Sequence, residues 1–288
     1  MRRPVSGYRA GMGELTEQAQ HVGQGAHESD WLDHAIRLGL VAYGVVHLLI
    51  AWLAIQLAFG DNEGKASSTG AMNQLAQQPF GEVLVWLVAL GMFLLVLWRL
   101  LEAAAGHRDA DGGERLRKRL TSAGKAVIYA AIGLSALQVA AGSAGSSGGK
   151  KSGFDSTTAK LMDLPAGQWI VVAIGLVIVG FGGAHVWRAW TEKFAEHLDP
   201  EGRSGDSGRA YLLFGKVGYA AKGVAIAIVG SLFVYAGASH EAKKSGGLDQ
   251  ALHKVLEQPF GPVLLILIGV GLASYGLFCF ARARHLSR

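Results

Sequence analysis

Six apolar runs of about 20 residues divide the chain, at about 38–59, 83–101, 126–144, 169–187, 217–236 and 262–281. Helices over 169–187 and 262–281 would be apolar on every face, whereas a helix of a soluble core keeps a polar stripe. Runs of this length match the roughly 30 Å hydrocarbon core of a bilayer. The pattern predicts six transmembrane helices, of which 126–144 is the least hydrophobic. Residues 71–78 read as a short helix. So does the second half of 239–258, where Leu248, Leu252, Val255 and Leu256 fall at helical spacing. The Gly/Ser-rich stretch 142–149 leads into a loop carrying Lys150, Lys151 and Asp155. Residues 1–30 are polar and read as a flexible tail, with Ser29 or Asp30 capping the first helix and Trp31 at the interface.

One four-residue phrase recurs between the runs. Gln78-Pro79-Phe80-Gly81 heads the second run, Gln258-Pro259-Phe260-Gly261 the sixth, and Pro165-Ala166-Gly167 the fourth in a weaker copy. Proline suits the first turn of a helix, where its missing N–H would have no partner in any case, so the phrase is read as opening each even-numbered span. The prolines at 79, 165 and 259 are offset by 86 and then 94 residues, and the even spans align on Ala89, Gly175 and Gly269. The odd spans align on Gly39, Gly124 and Gly218, and Tyr129 stands where the outer units have Gly44 and Gly223. Three two-span units result, at 31–107, 116–198 and 209–285, all in one orientation. Parallel repeats are related by an axis along the membrane normal. The expected fold is all-α: three tandem hairpins in a six-helix bundle with pseudo-three-fold closure. Small-xxx-small pairs such as Gly180/Ala184, Ala221/Ala225 and Gly269/Ala273 let backbones approach where lipid supplies little hydrophobic drive between helices.

Charge sets the orientation. Of 288 residues, 17% are charged, below the quarter or so usual in soluble domains. The net charge is +5, but the basic residues flank the apolar runs, which fits anionic lipid and topology signals and not nucleic acid. The tails and even-numbered connectors hold 16 Lys/Arg and the odd-numbered loops 7, which places both termini in the cytoplasm. The single cysteine, Cys279, lies inside the last run, forms no intrachain disulfide and reads as a small apolar residue.

The Gly-rich odd spans, the Pro-x-Gly openings at Pro79/Gly81, Pro165/Gly167 and Pro259/Gly261, and the triple repeat resemble the bacterial, mostly actinobacterial, membrane family known as domain of unknown function 1206. The resemblance covers about 31–285. It implies a multi-pass plasma-membrane protein, and it carries no established activity, cofactor or catalytic residue. The middle unit departs most from the pattern, with Ala166 in place of Phe and Tyr129 in place of Gly.

Candidate chemistry is sparse. Phosphate loops, Cys-x-x-Cys, His-Glu-x-x-His and Gly-x-Ser-x-Gly elbows are absent from the sequence. Lys222 lies four to six residues inside the fifth span; it reads either as an intramembrane site or as a side chain snorkelling to the headgroups. His47 sits near mid-span in the first run and His185 near the end of the fourth. A bis-His haem fits poorly, because the two depths differ by roughly 8 Å along a helix. Arg99 and Glu102 align with His185/Arg188 and Cys279/Arg282, forming either a polar girdle or ordinary interfacial anchors. Trp86, Trp98, Trp169, Trp187 and Trp190 read as aromatic belts. The functional expectation is a non-enzymatic scaffold or accessory subunit without cofactor or metal. Its partners would be the bilayer and either another membrane protein or a second copy. The alternatives are a small transporter or channel using the central axis and, behind it, a membrane haem protein.

Overall fold

A computed structural model describes residues 7–60, 66–105, 112–142 and 153–286, the side chains of 7–32, 105 and 153–157 excepted. Nine α-helices occur among the described residues. They are α1 (Gly7–Ala58), α2 (Ser68–Ala76), α3 (Gly81–Ala105), α4 (Gly112–Ala140), α5 (Gly153–Met162), α6 (Gly167–Trp190), α7 (Gly205–Ser239), α8 (Leu248–Leu256) and α9 (Gly261–Arg284). The six long helices, α1, α3, α4, α6, α7 and α9, are long and apolar enough to cross a membrane, and α4 has the lowest mean hydropathy of the six. Each repeat is thus a long helix, a short helix and a second long helix.

Three expectations about boundaries need correction. α1 runs unbroken from Gly7, so residues 7–30 continue the helix that carries the first span, Asp33–Ala58, and neither Ser29 nor Asp30 starts it. No proline falls between Pro4 and Pro79 to stop the helix. Arg115, Arg117, Lys118 and Arg119, read as connector, lie in the first turns of α4, and Arg209 and Lys216 lie in the first turns of α7. Polar and basic residues propagate a helix as well as apolar ones do, so hydropathy marks the membrane-deep part of a helix and not its end. Finally, α5 occupies the loop of the middle unit. The outer repeats predict it by analogy, but it lacks the apolar spacing that marks α8.

The Pro-x-Gly phrase also acts differently from expectation. The N–H groups of Gly81, Gly167 and Gly261 close tight turns on the carbonyls of Gln78, Leu164 and Gln258 at 2.7–2.8 Å. Proline therefore fills the second position of a turn, which its fixed φ suits, and the long helix begins only at the glycine. The intervening Phe80, Ala166 and Phe260 take left-handed φ values of 61°, 59° and 60°. That conformation costs an L-residue roughly 1–2 kcal/mol. Glycine follows because its helix start backs onto the preceding short helix. A Cβ there would overlap the carbonyl oxygen of Leu75, Leu161 or Leu256.

Around the bundle the long helices follow the order α1, α3, α4, α6, α7, α9 and back to α1. The broad seams lie between repeats: α3 on α4, α6 on α7 and α9 on α1. This is the pseudo-three-fold arrangement, with the repeats clasping their neighbours more tightly than themselves. Two seams use the same contact. A Cβ on Gly44 would stand 2.9 Å from the Gly276 carbonyl oxygen, and one on Gly223 would stand 2.6 Å from that of Gly182. These pairs coincide under the repeat offsets of 179 residues for the odd helix and 94 for the even one.

Within repeats the seams are narrower, and α4 and α6 share no comparable seam among the described residues. The cause is local. In the first repeat, Gly39 and Ala42 of α1 meet Gly91 of α3. In the third, Gly218 meets Tyr275, and Ala221 meets Gly271. The aligned middle residues are Gly124, Val127 and Val177. A Cβ on Gly124 would touch nothing within 4 Å, and Val127 and Val177 are 69% and 73% exposed. Two small positions have become valine, and the seam stands open.

The same substitution should therefore have opposite signs at two glycines. Gly124→Ala should leave thermal unfolding in detergent unchanged or raise stability by up to about 1 kcal/mol through helix propensity. Gly223→Ala should lower it by about 1–3 kcal/mol, the range for overpacking a tight contact.

Candidate functional site

The open middle repeat leads into a cavity along the bundle axis. It has two adjoining compartments of about 890 and 840 Å³, with His47, Ile50, Ile132, Lys222 and Ile226 in the walls of both. The first reaches the end that carries α2 and α8, where Ser67, Thr69, Asp249, Gln250 and His253 line it. The second reaches the opposite end, where the repeats connect, and opens between α4 and α6.

Lys222 divides the two. Its ammonium group donates to the Tyr43 hydroxyl at 2.6 Å and lies 3.9 Å from the centroid of the Tyr275 ring. It faces the axis, so the snorkelling alternative gives way. Tyr43 touches Tyr129 edge-on at 5.0 Å, and Tyr275 touches Tyr219 at 5.3 Å. Tyr43 and Tyr275 offer the lysine ring faces that attract a cation, and Tyr129 and Tyr219 pack behind them to complete a box of four phenols. Sequence reasoning did not single out this box. The signal was there: five of the chain's seven tyrosines lie in apolar runs, where a phenol needs a partner, and four of the five form this box.

His47 and His185 both line the second compartment. Each ring donates Nδ1–H to the carbonyl four residues earlier, Tyr43 at 2.8 Å and Phe181 at 2.9 Å. That fixes both ring orientations and leaves Nε2 as the nitrogen without a proton. His47 packs on Tyr275 and His185 stacks on Tyr219, so the two flank the tyrosine box from different helices.

The girdle closes the second compartment. Arg99 is 4% exposed and Arg282 5%, and Arg99, Lys125, Arg188 and Arg282 all line the cavity. They come from α3, α4, α6 and α9, so the girdle uses all three repeats. Arg99 pairs with Glu102, whose carboxylate also accepts from Ser122 at 3.0 Å. Lys125, Arg188 and Arg282 form no ion pair or hydrogen bond among the described residues, and the buried Nε of Arg282 has no acceptor. Among the described residues, no carboxylate lines this compartment. His197, in the short 3₁₀ turn Lys193–His197 after α6, registers the resulting field. The nearby Arg282 guanidinium, together with burial, lowers its imidazole pKa to about 2. Interfacial anchoring therefore fails as an account of Arg99 and Arg282. Trp86, Trp169, Trp187 and Trp190 are exposed, while Trp98 is half-buried under the Arg99 guanidinium at 3.8 Å.

The arginine positions 99/102, 185/188 and 279/282 fall at the same place in three successive segments. The family described as Domain of Unknown Function (DUF1206) matches residues 38–106, 120–192 and 217–285, which are those three segments. The chain belongs to the DUF1206 family. It is also similar to the uncharacterized protein YxxB of Bacillus subtilis (strain 168). The two are 25% identical over 255 residues, which cover 88% of this chain and 90% of the relative. No solved structure matches. In this DUF1206 chain, glycine contacts close two of the three seams between repeats, and α3, α6 and α9 each bring an arginine to the polar girdle, with Lys125 added from α4.

Two outcomes follow for this DUF1206 site. A buried, unpaired guanidinium costs several kcal/mol unless something pairs with it. Arg282→Met should therefore raise the thermal stability of the ligand-free protein, and a fall would make Arg282 a structural residue. The folded pKa of His197 lies below the ordinary 6.5. The unfolded chain then takes up the proton first as pH falls, and stability is lost below about pH 6.5, by at most about 1.4 kcal/mol per pH unit. Melts at pH 7 and pH 5 should differ less for His197→Gln than for the parent.

Proposed function

We propose that this protein is a non-enzymatic membrane carrier that binds an anionic solute in its axial cavity. One observation carries the reading: four cationic side chains from all three repeats converge on one compartment, and among the described residues only Arg99 forms an ion pair with a carboxylate. Buried cations without counter-charges are costly, and an anion would offset that cost with charge-assisted hydrogen bonds. Lys222 and His47 continue a polar path from that compartment toward the other end. A plain scaffold has no use for such a path, since packing alone is served by Gly, Ala and Leu. The basic-residue asymmetry of the loops supports a cytoplasmic position for the girdle in this reading.

Thermal unfolding in neutral detergent tests the reading. Millimolar pyrophosphate, compared with chloride at equal ionic strength, should raise Tm by mass action. The rise should shrink in an Arg99→Gln/Arg282→Gln variant. Equal shifts in parent and variant, or none in either, would remove the proposal.

A further inference from the structure

We propose that the solute is an anionic amphiphile, a phosphate-type headgroup on an acyl chain, which reaches the girdle sideways from the bilayer through the gap between α4 and α6. This inference rests on the anion-binding reading above and adds the source and the route.

The gap runs from the first turns of α4, at Gly113, Leu116 and Arg117, into the membrane-spanning lengths of α4 and α6. Arg117 and Thr121 line its outer end, and deeper in the spans its walls are apolar at Ile128 on α4 and at Val177 and Ile178 on α6, with Leu120 between the two levels. Leu120 and Val177 are 63% and 73% exposed, yet both line the cavity, so the compartment opens onto the surface that hydrocarbon covers. A water-soluble anion gains nothing from that opening. An acyl chain does, since each methylene left in apolar surroundings saves about 0.8 kcal/mol relative to water. Inward from this mouth the lining changes to cations. Lys125 stands one turn from Ile128 on α4, and Arg188 follows Phe181 and His185 on α6. Arg282 faces the compartment buried, its Nε without an acceptor among the described residues. Apolar mouth and cationic interior are thus joined in one cavity of about 840 Å³, within the usual range for a ligand pocket. Phosphate suits this interior, because guanidinium groups bind its oxygens in a bidentate fork. The gap is also confined to one repeat. Glycine and alanine seal the corresponding seams of the other two, and valine at 127 and 177 holds this one apart.

The test measures binding of two probes to the full-length protein in nanodiscs of neutral lipid. One is lysophosphatidic acid, with lysophosphatidylcholine as its neutral control; the other is glycerol phosphate, which has the headgroup without the chain. Gly124→Trp places an indole in the gap, where the Cβ meets nothing within 4 Å, and Val177→Trp does so from the opposite wall. Lysophosphatidic acid should bind the parent at least about tenfold more tightly than either other probe. Each tryptophan variant should weaken it by about tenfold or more and leave glycerol phosphate unchanged, which also shows that the variant is folded. Arg282→Gln should weaken both phosphates at least about tenfold, the loss expected when one partner of a buried charge pair is removed. If glycerol phosphate binds as well as the lipid and neither tryptophan matters, the lateral route is wrong and the anion site stands. If neither phosphate binds, the anion reading itself is wrong.

Discussion

Close approach of helix backbones is the constraint on which this structure depends. Lipid gives two apolar helices little reason to associate, so contact must come from packing, and packing is tightest where side chains are smallest. Gly44 against Gly276 and Gly182 against Gly223 supply that contact at two of the three seams between repeats. At the third, Tyr129 takes the place of the glycine and its ring meets Tyr43. The same rule decides where the ring does not close within a repeat. Gly39/Gly91 and Ala221/Gly271 seal two hairpins, and Val127 and Val177 leave the third apart. One packing rule, applied three times with one local exception, thus yields both the bundle and its side opening.

The electrostatics follow from the geometry. A pseudo-three-fold ring brings equivalent positions together on its axis, so one polar residue per repeat becomes a cluster. Arg99, His185 and Cys279 are equivalent, as are Glu102, Arg188 and Arg282, and together they place three guanidinium groups at one level with a single carboxylate. The low pKa of His197 has its origin there, in a site that repels one more proton. Lys222 escapes isolation because Tyr43 and Tyr275 offer a hydroxyl and a ring face. Unpaired buried charge of this kind costs stability in the ligand-free protein.

Much of the fold was legible because hydropathy and the repeat are long-range signals. Six runs near 20 residues fixed the spans, and Pro79, Pro165 and Pro259 fixed the register of the units. Depth along a helix was therefore readable for Lys222, His47 and Arg99. Direction around the helix was not: α7 and α9 are apolar on nearly every face, so no polar stripe showed which side is inward. That is why snorkelling and axial placement of Lys222 could not be separated, and why the tyrosine box went unseen. Helix ends were also hidden, because the basic first turns of α4 and α7 look like connector. The valines at 127 and 177 were visible as departures from the repeat, but their meaning depends on knowing which residues face each other across the seam.

The central claim is that the axis of this bundle is an accessible polar cavity and not a close-packed core. Thiol labelling in native membranes addresses it most directly. In a Cys279→Ser background, Ile226→Cys places a thiol on the wall shared by both compartments, and Leu267→Cys places one on the exposed apolar face of α9. A water-soluble maleimide should modify the thiol at 226 much faster than the one at 267, and the Arg99→Gln/Arg282→Gln change should leave that order intact. A thiol at 226 as unreactive as the lipid-facing one would mean a sealed axis, and the account of the site would fail with it.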